Sequence, residues 1–111
     1  MHQKSYSAFK IMTSDSPPLV SVLIVNWNGA AVLPRCLAAV FAQTATDYEV
    51  LLIDNGSTDG SADGLETQWP GLRVERLGEN LGFAAANNRG ANMARERWLA
   101  LLNNDAYPEP N

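Results

Sequence analysis

One stretch constrains the fold more than any other: Glu49-Val50-Leu51-Leu52-Ile53-Asp54-Asn55-Gly56-Ser57-Thr58-Asp59-Gly60-Ser61. Its apolar run is rich in leucine and β-branched side chains and is too short for a typical helix. That predicts a strand buried on both faces, as in a parallel sheet. The run stops at Asp54 and gives way to small polar residues, two glycines and a second carboxylate. In open α/β sheets, ligands lie outside the carboxyl ends of the strands. A carboxylate followed by a small-residue turn can accept hydrogen bonds there and let a ligand approach the backbone. The same residues also suit an ordinary strand-to-helix turn with Asp59 or Ser61 as N-cap.

The rest of the chain repeats the pattern. Residues 1–18 show no sustained period and read as a flexible leader, which leaves 19–111 as the folded part. Val20-Ser21-Val22-Leu23-Ile24-Val25 is a second nearly continuous apolar run, ending in Asn26-Trp27-Asn28-Gly29. Helical spacing then runs from about Ala31 to near Gln43, with Pro34 in the first turn, where its missing N–H costs nothing. After Asp54 a helix is expected from about Ser61 to Gln68, stopped by Pro70-Gly71. Arg73-Val74-Glu75-Arg76-Leu77 alternates like a half-exposed edge strand. A loop over 78–82 precedes a helix expected from Phe83 to about Arg97, whose alanines and Gly90 permit close packing. Trp98-Leu99-Ala100-Leu101-Leu102 is the fourth strand, closing on Asn103-Asn104-Asp105.

Three buried strands thus end in Asn- and Asp-rich clusters, and parallel pairing puts all three on one sheet edge. A strand order of 3-2-1-4 would reverse the chain's direction between the first and fourth strands, which opens a crevice suited to a nucleotide.

At 111 residues and 46% apolar composition, the chain suits one small domain or part of a larger one. With a formal charge of −4 and scattered Lys and Arg, it lacks the basic face that duplex nucleic acid requires. The lone Cys36 excludes an internal disulfide and reads as a packed core thiol in a reducing compartment. His2 lies in the leader, no apolar run reaches the length of a transmembrane span, and no signal peptide is evident. Neither a dinucleotide fingerprint nor a P-loop is present, and no Ser-His-Asp or Cys-His set can be assembled.

Carboxylate and amide chemistry remains. Asn103 and Asp105 present oxygen-bearing side chains at a strand end, which suit Mg²⁺ or Mn²⁺ completed by waters and substrate phosphates. An Asn/Asp turn after a strand is the plainer reading. Trp27 either stacks on a base or covers the core, and the core is favoured. Arg89 is either a solvated charge or a phosphate ligand. Asn87 and Asn88, poor helix formers, either pack against the strand-end loops or lie on the surface.

These segments resemble the N-terminal half of a family 2 glycosyltransferase, with the rhamnosyltransferase-like branch of bacterial surface-polysaccharide synthesis as the nearest flavour. The resemblance rests on Val20 to Asn28, Glu49 to Ser61, Asn80 to Gly90 and Leu101 to Asp105, in that order. It implies a Rossmann-like GT-A fold, a mostly parallel sheet flanked by helices, and a dTDP-, UDP- or GDP-sugar donor. It implies inversion at the anomeric carbon and a glycan or lipid-linked acceptor. By position, Asn26, Trp27 and Asn28 line the nucleotide pocket, with Asn55, Gly56 and Asn104 beside them. Asp54 accepts a hydrogen bond from a pyrimidine base. The segment carrying Asn80, Gly82, Asn88 and Arg89 borders the nucleotide and sugar-diphosphate. Asn103-Asn104-Asp105 stands in place of the family's D-x-D motif, with Asp105 the ligand of Mg²⁺ or Mn²⁺ and Asn103 a second candidate. Asn103 removes one negative charge from that motif.

The family's acceptor half and its general base follow the D-x-D motif, so the resemblance also implies a fragment that binds donor without turnover. It implies cytoplasmic placement, free or at the inner face of the membrane. Two rivals come from other classes. A non-catalytic nucleotide-binding or scaffold domain predicts binding without transfer. A nucleotidyltransferase would want a basic glycine-rich loop after the first strand, which Asn26 to Ala31 lacks.

Overall fold

The structure is a computed structural model describing residues 20–43, 47–95 and 98–105. The leader expected over 1–18 lies outside these residues. Four strands, β1 (Val20–Asn26), β2 (Tyr48–Asp54), β3 (Leu72–Arg76) and β4 (Trp98–Asn103), form one sheet in the order β3-β2-β1-β4. All pairings are parallel, with Val22 opposite both Val50 and Ala100, and Asn26 opposite Asp54. The chain steps outward from β1 through β2 to β3, then crosses back to pair β4 with β1. That makes the β1/β4 boundary the switch point.

Continuous apolar runs in β1 and β2 follow from burial on both faces. Val20, Val22, Ile24, Val50 and Leu52 pack with Leu33, Cys36, Leu37 and Val40 of α1 (Leu33–Phe41), and with Leu65 of α2 (Leu65–Gln68). The opposite face sets Leu23, Leu51 and Ile53 against Ala86 of α3 (Phe83–Met93). Gly90 brings α3 onto the sheet as expected, because a Cβ there would sit 2.3 Å from Leu23 Cδ1. Cys36 is fully buried, and burial, with a smaller push from Asp105, raises its thiol to about 11. It is a core thiol.

Four expectations need correction. The helix expected from Ser61 shrinks to Leu65–Gln68, because Gly64 adopts φ +67° and 61–64 form turns. Neither Asp59 nor Ser61 caps it; Asp59 instead accepts the N–H groups of Ser61 (3.0 Å) and Ala30 (3.0 Å). α3 stops at Met93, not Arg97, because Ala94 turns extended and the Arg95 N–H reaches the buried Glu49 carboxylate at 2.7 Å. Trp27 does not cover the core: it is 54% exposed. Smaller shifts move β3 one residue earlier and trim α1 to Leu33–Phe41.

Candidate active site

The carboxyl edge of the sheet is held together by side-chain amides. Asn26, the last residue of β1, is fully buried. Its Nδ2 faces Asp54 Oδ1 (3.1 Å), Ser57 Oγ (3.2 Å) and Ser61 Oγ (3.0 Å), and its Oδ1 accepts from Asn104 Nδ2 (2.9 Å). A single amide therefore joins the ends of β1, β2 and β4. Asp54 is also buried, and the Ser57 hydroxyl (2.7 Å) and N–H (3.1 Å) both donate to its carboxylate. Oδ1 takes two of these bonds and Oδ2 only the Ser57 N–H, so Oδ2 keeps one acceptor position open.

The loop after β1 is zipped to the loop after β2. The Asn28 N–H donates to Ser57 Oγ (2.8 Å), and its side-chain oxygen accepts from Thr58 N–H (2.8 Å). Asn28 holds this position at φ +50°. Asn55, nearly buried, ties the β2 end to the loop before α3: it accepts from Leu81 N–H (2.9 Å) and donates to Asn80 Oδ1 (3.1 Å) and the Gly82 carbonyl (3.2 Å). Gly56 permits that approach, since at φ +83° a Cβ would lie 2.5 Å from the Glu79 carbonyl carbon.

These ties leave a cleft of about 390 Å³ lined by Val25, Trp27, Asn55, Asn80, Phe83, Asn103, Asn104 and Asp105. It lies at the switch point, between the ends of β1 and β4, where the start of α3 closes one side. The structure thus gathers Trp27, Asn55, Asn80, Asn103, Asn104 and Asp105 around one space. Asn26 and Asp54 stand behind the cleft, while Asn28, Gly56 and Gly82 shape its loops. Asn88 and Arg89 do not line it. Asn88 is exposed on α3, and the Arg89 guanidinium pairs with Glu75 of β3 at 2.5 Å. Asn87 bonds back to the Phe83 carbonyl (3.2 Å).

Ser57, Ser61, Gly29 and Phe83 carry parts of the site that the motifs did not single out. Phe83 is 63% exposed at the first position of α3, where the one mark it leaves in the sequence is an aromatic directly after a glycine at a helix start.

Asp105 is exposed and makes no hydrogen bond or ion pair among the described residues. No group of three His, Cys, Asp or Glu side chains converges among them either. One carboxylate with the Asn103 amide oxygen fits a hard divalent cation that keeps waters and takes its remaining ligands from a diphosphate. It does not fit an all-protein metal cage.

An open, all-parallel α/β sheet with an oxygen-lined cleft at its switch point defines the class as a doubly wound domain. The chain belongs to glycosyl transferase family 2, whose sequence model matches residues 21–111. It is 40% identical over 92 residues to the PGL/p-HBAD biosynthesis glycosyltransferase of Mycobacterium bovis, covering 79% of this chain and 36% of that protein. It is 38% identical over 96 residues to glycosyltransferase AglE of Haloferax volcanii, covering 82% and 32%. The chain spans about a third of the length of these curated relatives.

Two solved structures share the sheet. One is the mannosyltransferase PcManGT of Pyrobaculum calidifontis in complex with GDP-Man and Mn²⁺, with a TM-score of 0.75 and 24% identity, covering 83% of this chain and 29% of that one. The other is S. aureus TarS 1–349 in complex with UDP-GlcNAc, with a TM-score of 0.77 and 22% identity, covering 83% and 28%. The fold is that of the GT-A nucleotide-sugar transferases. Among the described residues no helix is long and apolar enough to cross a membrane.

Proposed function

We propose that this chain is the donor-binding part of an inverting glycosyltransferase. Its donor is a dTDP-, UDP- or GDP-sugar, and its acceptor is a glycan or lipid-linked glycan of the cell surface, reached from the cytoplasm. The observation that carries this reading is the cleft itself, at the switch point of a family 2 domain, with flat aromatic, amide and carboxylate surfaces facing one space. The solved neighbours with GDP-Man and with UDP-GlcNAc support a nucleotide-sugar as the ligand class.

Each residue then has a task. Trp27 offers an exposed ring on which a base can stack, and Asn55 and Asn80 present fixed amides to the polar edges of the ligand. Asn103 and Asp105 hold Mg²⁺ or Mn²⁺ against the diphosphate. When bound, that cation neutralises the charge that develops on the departing nucleoside diphosphate. Asp105 is the only carboxylate among the described residues lining the cleft. Committed to a cation, it leaves deprotonation of the acceptor hydroxyl to a group outside these residues.

Calorimetric titration with UDP, dTDP and GDP, with and without Mn²⁺, tests the reading. One diphosphate should bind saturably, more tightly with Mn²⁺, and the Mn²⁺ enhancement should vanish in Asp105→Ala. A folded chain that binds none of the three overturns it.

A further inference from the structure

Asn26 would be expected to touch the nucleotide, yet its side chain is wholly buried and its amide is engaged on both sides. We propose that Asn26 is a positioning residue: its amide, wedged in place by Gly29, fixes the Asn103-Asn104-Asp105 strand end and thereby sets where Asp105 holds its cation. The inference rests on the cation role proposed above and extends it to residues that never meet the ligand.

Three observations converge. First, the Asn104 bond to Asn26 ties the β4 end to the β1 end, at 2.9 Å between residues 78 positions apart, while the Cys36 thiol of α1 holds the Asn103 carbonyl more loosely at 3.7 Å. Asn104 lies between the two candidate ligands, so fixing its side chain fixes the backbone that presents both. Second, Asn26 is itself held by Asp54, Ser57 and Ser61, so the reference point is the end of β2 and its loop rather than solvent. Third, Gly29 leaves no slack. A Cβ there would stand 2.3 Å from Asn26 Oδ1 and 2.4 Å from Asn104 Nδ2, against the two atoms that make the bond. Gly29 is therefore required by close approach; its φ is not positive. Beyond Asn104, Asp105 is exposed with no tie of its own among the described residues, so its position is inherited.

The test measures Mn²⁺ affinity by electron paramagnetic resonance in the presence of saturating UDP or GDP, beside the affinity for the same diphosphate without metal. Asn104→Ala removes the donor with little change in packing, and Gly29→Ala drives the two amides apart without removing a polar group. Each should weaken Mn²⁺ binding by about 10–100-fold, the usual consequence of losing a partner that orients a ligand. In Gly29→Ala, whose position does not line the cleft, metal-free diphosphate affinity should change much less. The double variant should lose less than the product of the single losses, since both act on one bond. Circular dichroism checks that each variant is folded, and Asn104→Ala keeps the test open if Gly29→Ala unfolds. Folded Asn104→Ala with unchanged Mn²⁺ affinity, where Asp105→Ala has lost it, overturns the positioning role alone. Equal losses with and without metal in folded Gly29→Ala overturn it too, as they report general damage to the cleft. Diphosphate binding without Mn²⁺ enhancement in the unaltered chain overturns this inference alone, and binding of none of the diphosphates by the folded chain overturns both this inference and the donor-site reading.

Discussion

β2 carries a buried carboxylate near each end, and the two are stabilised by opposite means. Glu49, at the amino end, accepts from the Ser21 hydroxyl (2.5 Å), the Arg95 N–H (2.7 Å) and the guanidinium groups of Arg73 (2.9 Å) and Arg95 (3.0 Å). Asp54, at the carboxyl end, accepts hydrogen bonds from neutral donors, the amide of Asn26 and the hydroxyl and N–H of Ser57. The Glu49 end is a charge-compensated knot that ties β1, β2, β3 and the exit of α3 together. The Asp54 end is an amide lattice that props three loops apart around a cleft. Compensating a carboxylate with arginines closes a site; holding one with amides leaves the edge able to face an anionic ligand and its cation. One strand therefore serves stability at one end and binding at the other.

The largest effect is expected where that knot is broken. Glu49→Ala removes the acceptor shared by two arginines and a buried serine. Because Arg73 and Arg95 are partly exposed and rehydrate, the cost should sit near the low end for buried pairs, about 3 kcal/mol by urea unfolding. Diphosphate affinity of the folded variant should be unchanged. A fall would show that the two ends are coupled. The same group gives a pH signature. Burial pushes the Glu49 carboxyl up, but the hydrogen bonds from Ser21, Arg95 and Arg73 together outweigh burial and hold it below its usual value. A depressed folded pKa means that the unfolded chain takes up the proton first. The stabilisation is therefore complete above the ordinary glutamate pKa of about 4.3 and is lost as the pH falls through the depressed value. Glu49→Gln should flatten that acid limb of the stability curve.

Two glycines probe the ends with smaller effects. Gly56→Ala forces an L side chain to φ +83° and against the 79–80 backbone. The conformation alone costs about 1–3 kcal/mol. Here stability and diphosphate affinity should fall together, because the Asn55 ties to Asn80, Leu81 and Gly82 lose their register. Gly90→Ala, by contrast, drives its Cβ into the Leu23 side chain, whose Cδ1 would lie 2.3 Å away. Overpacking of about 1–3 kcal/mol is partly offset by about 1 kcal/mol of helix propensity, leaving a net loss near 1 kcal/mol. Leu23→Val should restore part of it. Loss of diphosphate binding in Gly90→Ala at full folding would contradict the division of the strand's two ends.

How much of this was legible in the sequence differs by level. β1, β2 and β4 announced themselves because burial on both faces leaves uninterrupted apolar runs, and their polar endings marked a shared edge. Helix lengths were less legible where partners are distant: α3 ends at Met93 because Arg95 binds Glu49, 46 positions earlier, which no local period records. Glycine placement blurred α2 in the same way, since Gly64 adopts its turn without leaving a mark on periodicity. The strand-end residues were correctly placed on one edge. Which of them face the cleft was not readable, because a strand-end Asn looks the same whether it lines a pocket, like Asn104, or braces one from behind, like Asn26.

Trp27 and Phe83 give the smallest effect on folding and the sharpest separation of the two roles. Both rings line the cleft at 54% and 63% exposure, so neither contributes much buried apolar area to the core. A large aromatic left in water beside an oxygen-lined space is better explained by what it meets there than by what it packs on. Trp27→Ala and Phe83→Ala should each change unfolding free energy by no more than about 0.5 kcal/mol, the range of ordinary surface substitutions. If Trp27 carries the base, its loss should weaken diphosphate binding by about 1–3 kcal/mol, the usual worth of a base stacked on an aromatic ring. That loss should appear with and without Mn²⁺, unlike the metal-selective loss expected for Gly29→Ala. A Trp27→Ala chain that unfolds more easily yet binds the diphosphate as before would instead return the ring to the core, and the carboxyl edge would lose its aromatic platform.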